Sequence, residues 1–118
     1  MTLAKLHTEL EKGVGIARIS GEIDASNRTE MRSRLLDLIH NADWGLVLDL
    51  SALRYLDSAG IEMILHLAKR LDSRQQRLRV VAPPDSFVAD VLDAVRLREI
   101  VPVDEDVAEA IGELEPQA

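Results

Sequence analysis

The apolar positions change period several times along the chain, and each change marks an element. Leu3 to Leu10 mixes apolar and polar residues in the manner of a half-buried strand. Glu11-Lys12-Gly13 is a turn signal, and Val14 to Ile19 reads as a second strand, close enough to form a hairpin with the first. Gly21-Glu22-Ile23-Asp24 ends that strand. Asn27-Arg28-Thr29-Glu30 then has the spacing of a capping box, with Ser26 as the alternative cap. Met31, Leu35, Leu38, Ile39 and Ala42 share one helical face. Leu46-Val47-Leu48 is a continuous apolar run, the mark of a strand buried on both faces. It runs out into a tight polar turn, Asp57-Ser58-Ala59-Gly60. Behind the turn, Ile61, Ile64, Leu65, Ala68 and Leu71 make a second helical stripe. Leu78 to Ala82 is a further strand, stopped by Pro83-Pro84. Val88, Val91, Leu92 and Val95 mark a third helix. Ile100 to Val103 fits a short edge strand, where proline is tolerated. Val107, Ala110, Ile111 and Leu114 mark a last helix, and residues 115–118 are expected to fray. Strands that alternate with helices predict an α/β domain with a mixed, mostly parallel sheet. The expectation is four to five strands, an N-terminal hairpin and about four helices.

Composition narrows this picture. A chain of 118 residues is one ordinary domain, here with a core of about 3–114. Hydrophobic residues make up 47% and aromatics only 3%, so the core must be aliphatic. The net charge of -7 and the lack of an evident basic face argue against direct nucleic-acid binding. Cysteine is absent, which excludes disulfides, thiol nucleophiles and cysteine-ligated zinc. No apolar run approaches the ~20 residues of a membrane span. The first residues lack a signal-peptide pattern, so a cytoplasmic protein is the default expectation.

Most catalytic chemistry has no carrier here. There is no GxxxxGK[ST] loop, no GxGxxG and no GxSxG elbow. His7, His40 and His66 are scattered, and Glu62 with His66 reads as a solvated i,i+4 pair. Asp24, Asp49 and Asp57 fall near strand ends. However, the first strand lacks the acidic pair that a phosphoaspartate receiver would want, and no metal site is expected. Asp49, inside an apolar strand, needs a partner or an exposed position. Ser58 has two readings. It is either a helix cap, worth about 1 kcal/mol, or a surface hydroxyl at the positive end of a helix. There a phosphate would be held by free backbone N–H groups and the helix dipole. Gly60 either lets the first turn pack closely on the strand or belongs to the switch. Asp24 is a turn residue, a cap or a neighbour of that turn.

At these residues the chain resembles the STAS family, the bacterial anti-sigma factor antagonists and their relatives. Gly21-Glu22-Ile23-Asp24 is similar to the family's Gly-x-hydrophobic-Asp element. Leu46-Val47-Leu48-Asp49-Leu50-Ser51 is similar to its central strand. Tyr55-Leu56-Asp57-Ser58-Ala59-Gly60-Ile61 is similar to its Asp-Ser-Ser/Thr-Gly signature. The resemblance covers nearly the whole chain. It implies a non-enzymatic regulator without a cofactor, in which Ser58 is phosphorylated by a kinase-type anti-sigma factor. The unphosphorylated form would bind that kinase and release a sigma factor, and a serine phosphatase would reset the phosphorylated form. The implied switch loop comprises Asp24, Asp57, Ser58, Ala59 and Gly60. Ala59 departs from the pattern, because many antagonists have Ser or Thr there, and this removes a second acceptor. A phosphate adds about -1.5 to -2 charge, which Asp57 and Asp24 would repel and which would weaken a partner docked over the turn. Tyr55, Ile61 and Met63 are candidates for apolar contact around Ser58. Two other members of the family offer different roles. One is a subunit docking on the ATPase of a lipid-transport ABC system, and the other a scaffold in a stress-signalling assembly.

Overall fold

A computed structural model describes residues 3–115. The chain begins with a hairpin of β1 (Ala4–Glu11) and β2 (Val14–Ile23). It continues through α1 (Arg28–His40), β3 (Gly45–Leu56), α2 (Ser58–Ser73), β4 (Arg77–Val81) and α3 (Phe87–Ala94). A 3-10 turn at Leu97–Glu99 leads to β5 (Val103–Asp104) and α4 (Val107–Leu114). The sheet order is β1-β2-β3-β4-β5, with β1 antiparallel to β2 and every other pairing parallel. This is the mixed sheet that the pattern predicts. Of the tail expected to fray, 115–118, Glu115 closes α4 with its N–H on Ile111 O, and 116–118 lie outside the described residues.

The strand faces explain the layers. Leu46, Leu48 and Leu50 of β3 join Met31, Leu35 and Ile39 of α1, Ile64 and Leu67 of α2, and Val88 and Leu92 of α3 in the main core. Val47 points the other way. With Val14, Ile16 and Val81 it packs under Ala110 and Leu114 of α4. Side chains alternate across a strand, so three helices cover one face and α4 covers part of the other. The core is aliphatic, and Trp44, Tyr55 and Phe87 are all exposed.

Several boundaries differ from the sequence reading. β2 runs on to Ile23, and β3 extends over twelve residues to Leu56, beyond the stretch 46–51 read as its strand. The α2 face is centred on Met63, Ile64, Leu67 and Leu71, with Ile61, Leu65 and Ala68 at its margins. β5 holds only two residues. Pro102 precedes them, accepts from Val80 N–H through its carbonyl, and has no N–H to extend the ladder. At α1 neither expected cap forms. Asn27 is the cap residue by position, but its side chain accepts from Asp24 N–H at 3.1 Å and donates to Glu22 O at 2.9 Å. The Ser26 hydroxyl donates to Asp24 Oδ1 at 2.6 Å instead of capping the helix.

Candidate functional site

The candidate site lies where β2 and β3 end side by side. Ile23 pairs with Leu56, the last residue of each strand. The next residue on β2 is Asp24 and the next on β3 is Asp57, so two carboxylates follow one pair of strand ends.

Asp57 is the N-cap of α2. Its backbone is extended, and its Oδ1 accepts from Ala59 N–H at 2.9 Å and from Gly60 N–H at 3.3 Å. Its carbonyl accepts from Ile61 N–H at 3.0 Å. Ser58 is therefore the first residue inside the helix, not its cap, and it is exposed. This resolves the two readings of Ser58 in favour of a surface hydroxyl. It also corrects the expected phosphate cradle, because the N–H groups of Ala59, Gly60 and Ile61 are already engaged by Asp57. A phosphate on Ser58 would meet an occupied helix terminus with a carboxylate on it.

Ala59 and Gly60 are both buried. A Cβ at Gly60 would collide with Leu56 Cδ1 and come within 3.3 Å of Ile23 Cγ2. Gly60 thus allows the first turn of α2 to sit on the strand ends, as one of its two readings proposed. Ala59 faces the core, so the missing second acceptor is a buried methyl rather than a surface position. Of the candidate contact residues, Met63 belongs to the core and Ile61 is half-buried. Tyr55 alone is well exposed, at 42%.

Tyr55 has more part in the site than a turn residue would. It lies in β3 opposite Glu22, and its hydroxyl is 3.5 Å from Asp57 Oδ2. The Asp57 charge foremost pushes its pKa above the ordinary value, with smaller contributions from desolvation and from Asp24 and Glu22. Sequence reasoning missed this pairing, although an i,i+2 Tyr-x-Asp step at a strand end is its signal. It also missed Glu62, which pairs with Arg28 at 2.6 Å rather than with His66 and ties the start of α1 to α2. The Asp24 carboxylate accepts from Ser26 N–H at 2.8 Å and holds the loop after β2. Asp49 finds its partners in Arg18 Nε, at 3.6 Å, and Ser51 N–H, at 3.0 Å. Among the described residues no group of three or more His, Cys, Asp or Glu side chains could hold a metal ion. No helix there is long and apolar enough to cross a membrane.

The model of the STAS domain matches residues 5–110. The chain belongs to the STAS family. This STAS domain is 31% identical over 114 residues to the anti-sigma F factor antagonist of Paenibacillus polymyxa, covering 94% of this chain and 95% of that one. Its fold is similar to the crystal structure of an anti-sigma factor antagonist from Mycobacterium paratuberculosis. There the TM-score is 0.85 at 22% identity, over 97% of this chain and 96% of the other. It is also similar to the anti-sigma factor antagonist SpoIIAA. The unphosphorylated form gives a TM-score of 0.77 at 19% identity, over 97% of this STAS domain and 99% of that chain. The phosphorylated form from Bacillus gives 0.68 at 18%, over 92% and 98%.

Proposed function

We propose that this STAS domain is an anti-sigma factor antagonist switched by phosphorylation of Ser58. The unphosphorylated form binds a kinase-type anti-sigma factor and so frees a sigma factor. The kinase then transfers phosphate to Ser58, the complex loses affinity, and a serine phosphatase restores the binding form. Relatives named as antagonists support the role. The observation that carries the switch is the division of labour at the turn: Asp57 caps the helix and leaves the neighbouring hydroxyl of Ser58 exposed.

The physics of inactivation follows from the occupied terminus. A phosphate brings about -1.5 to -2 charge next to Asp57 and one strand away from Asp24. In free solution, water screens that charge and the fold tolerates it. Under a docked partner water is excluded, and the same like-charge contacts and lost hydration weaken binding without refolding the domain. The switch loop of Asp24, Asp57, Ser58, Ala59 and Gly60 therefore divides into two half-buried carboxylates, one exposed acceptor and two buried packing residues.

Calorimetric titration of wild type, Ser58→Ala and Ser58→Glu into a purified kinase-type anti-sigma factor tests the reading. Wild type and Ser58→Ala should bind alike and Ser58→Glu at least about tenfold more weakly, a difference of about 1.4 kcal/mol. Equal affinity of all three would refute the switch. Incubation of wild type with the same kinase and ATP should add one phosphate, lost in Ser58→Ala.

A further inference from the structure

Four steps along β2, from Arg18 to Glu22, are matched by six along β3, from Asp49 to Tyr55. The surplus comes from two bulges. In the first, Leu50 and Ser51 oppose Ile19 alone. In the second, Arg54 has no counterpart between the pairs Gly21–Leu53 and Glu22–Tyr55. Bulges bend a strand and re-aim the side chains beyond them. Here, what lies beyond is the switch. In the unbroken register that begins with Val14 opposite Gly45, Ile23 would face Arg54, and Asp24 would lie level with Tyr55. The bulges instead bring Asp24 level with Asp57.

The first bulge is held by a carboxylate that the switch does not use. Asp49 is the last paired residue before it and is only 8% exposed, between the core residues Leu48 and Leu50. By burial alone an apolar side chain would suit the position. Its Oδ1 accepts the Ser51 N–H inside the bulge at 3.0 Å, and its Oδ2 lies 3.6 Å from Arg18 Nε. Arg18 is in turn ion-paired to Glu9 on β1. A charge this deeply placed persists where hydrogen bonds and a counter-charge hold it.

We propose that Asp49 is a positioning residue for the switch. Its carboxylate fixes the bulge at Ser51 from the side of Arg18, and so sets the register that delivers Asp57 to the N-cap and Ser58 to the first turn of α2. The functional meaning rests on the reading of Ser58 as the regulated serine. The geometric claim rests on the strand register alone.

Isotope-labelled wild type, Asp49→Asn and Asp49→Leu, compared by NMR, test it. Wild type should show cross-strand contacts at Ser20–Ala52 and Ile23–Leu56, and slow exchange of the Ser51 amide. Asp49→Asn keeps an acceptor oxygen and should preserve all three signatures. In Asp49→Leu the Ser51 amide should exchange about tenfold faster or more, and the Ala59 and Gly60 amide signals should move or split as Asp57 loosens. Undisturbed Ala59 and Gly60 signals in Asp49→Leu, with only a lower melting temperature, would overturn the proposal. So would a Ser51 amide in wild type that exchanges like a free one, whether or not Asp49→Leu folds. Offered to a kinase-type anti-sigma factor with ATP, Asp49→Asn should match wild type, while Asp49→Leu loses about tenfold or more in kcat/KM. Equal phosphorylation of Asp49→Leu and wild type would also overturn it. If wild type itself takes no phosphate, the proposed function fails, and the NMR signatures alone decide the role of Asp49.

Discussion

Replacing Asp57 by alanine separates a capping carboxylate from a regulatory serine. Asp57 accepts two first-turn N–H groups, at 2.9 and 3.3 Å, from Ala59 and Gly60. Losing such a cap costs about 1 kcal/mol. Losing its negative charge from the positive end of the helix adds about 0.5 kcal/mol. Asp57→Ala should therefore lower stability by about 1.5 kcal/mol. With a urea m-value of about 1.5 kcal/mol/M, the midpoint falls by about 1 M. Asp57→Asn retains a carbonyl acceptor and should lose only the charge contribution, about 0.5 kcal/mol. Ser58→Ala removes an exposed hydroxyl from the first helical position and should stay within about 0.5 kcal/mol of wild type. Urea unfolding followed by circular dichroism gives all three values from one experiment. If Ser58→Ala were as costly as Asp57→Ala, Ser58 would be a structural cap and the division of labour at this turn would be wrong.

Three further outcomes follow from the packing and charges. Gly60→Ala forces a methyl group against Leu56 and Ile23; overpacking of about 1–3 kcal/mol, offset by about 1 kcal/mol of helix propensity, should leave a net loss of up to about 2 kcal/mol in the same assay, and a gain in stability would contradict the close packing. Tyr55 is the single tyrosine, so ultraviolet absorbance reports its ionisation directly. It should ionise above its ordinary value of 10.0, and Asp57→Asn should move it back down. Because the folded value is raised, the unfolded chain ionises first. This contribution to stability is complete below pH 10 and is lost as pH rises through the folded value; a Tyr55 titration unchanged in Asp57→Asn would contradict the contact. Asp104 holds Arg79 through two hydrogen bonds, at 2.7 and 2.9 Å, and is buried. Asp104→Ala strands that guanidinium and should cost about 3 kcal/mol, measurable as a lower urea midpoint; no change would mean that the short β5 is held by its backbone alone.

Much of this fold is written in periodicity, and the exceptions have a physical cause. The run Leu46-Val47-Leu48 announces a strand buried on both faces, and those residues are fully buried. The helical stripes announce α1 to α4, although the α2 stripe omits Met63 and Leu67, which are buried beside Ile64 and Leu71. The long end of β3 is hidden by its own bulges. Leu50, Leu53 and Leu56 are all buried but recur every third residue. A bulged strand inserts residues and breaks the two-residue period, so that spacing reads as a turn. The capping-box spacing before α1 forms no cap because Asn27 spends its side chain on the loop after β2 instead of the helix. At the candidate site, the order Asp57-Ser58-Ala59-Gly60 announces a turn that opens a helix, while a regulatory role for Ser58 comes only through the family resemblance. Which of Asp57 and Ser58 caps the helix is not legible, since both are good caps and only backbone geometry separates them. The contacts of Tyr55 and the partners of Asp49 depend on register across strands, which a single chain's pattern does not carry.

Capture of partners from native lysate, with immobilised wild type beside Ser58→Glu and identification by mass spectrometry, tests the central claim most directly. A kinase-type anti-sigma factor held by wild type and lost by Ser58→Glu is the predicted result. An ABC-transporter ATPase held equally by both proteins would contradict it and make this surface a permanent docking face.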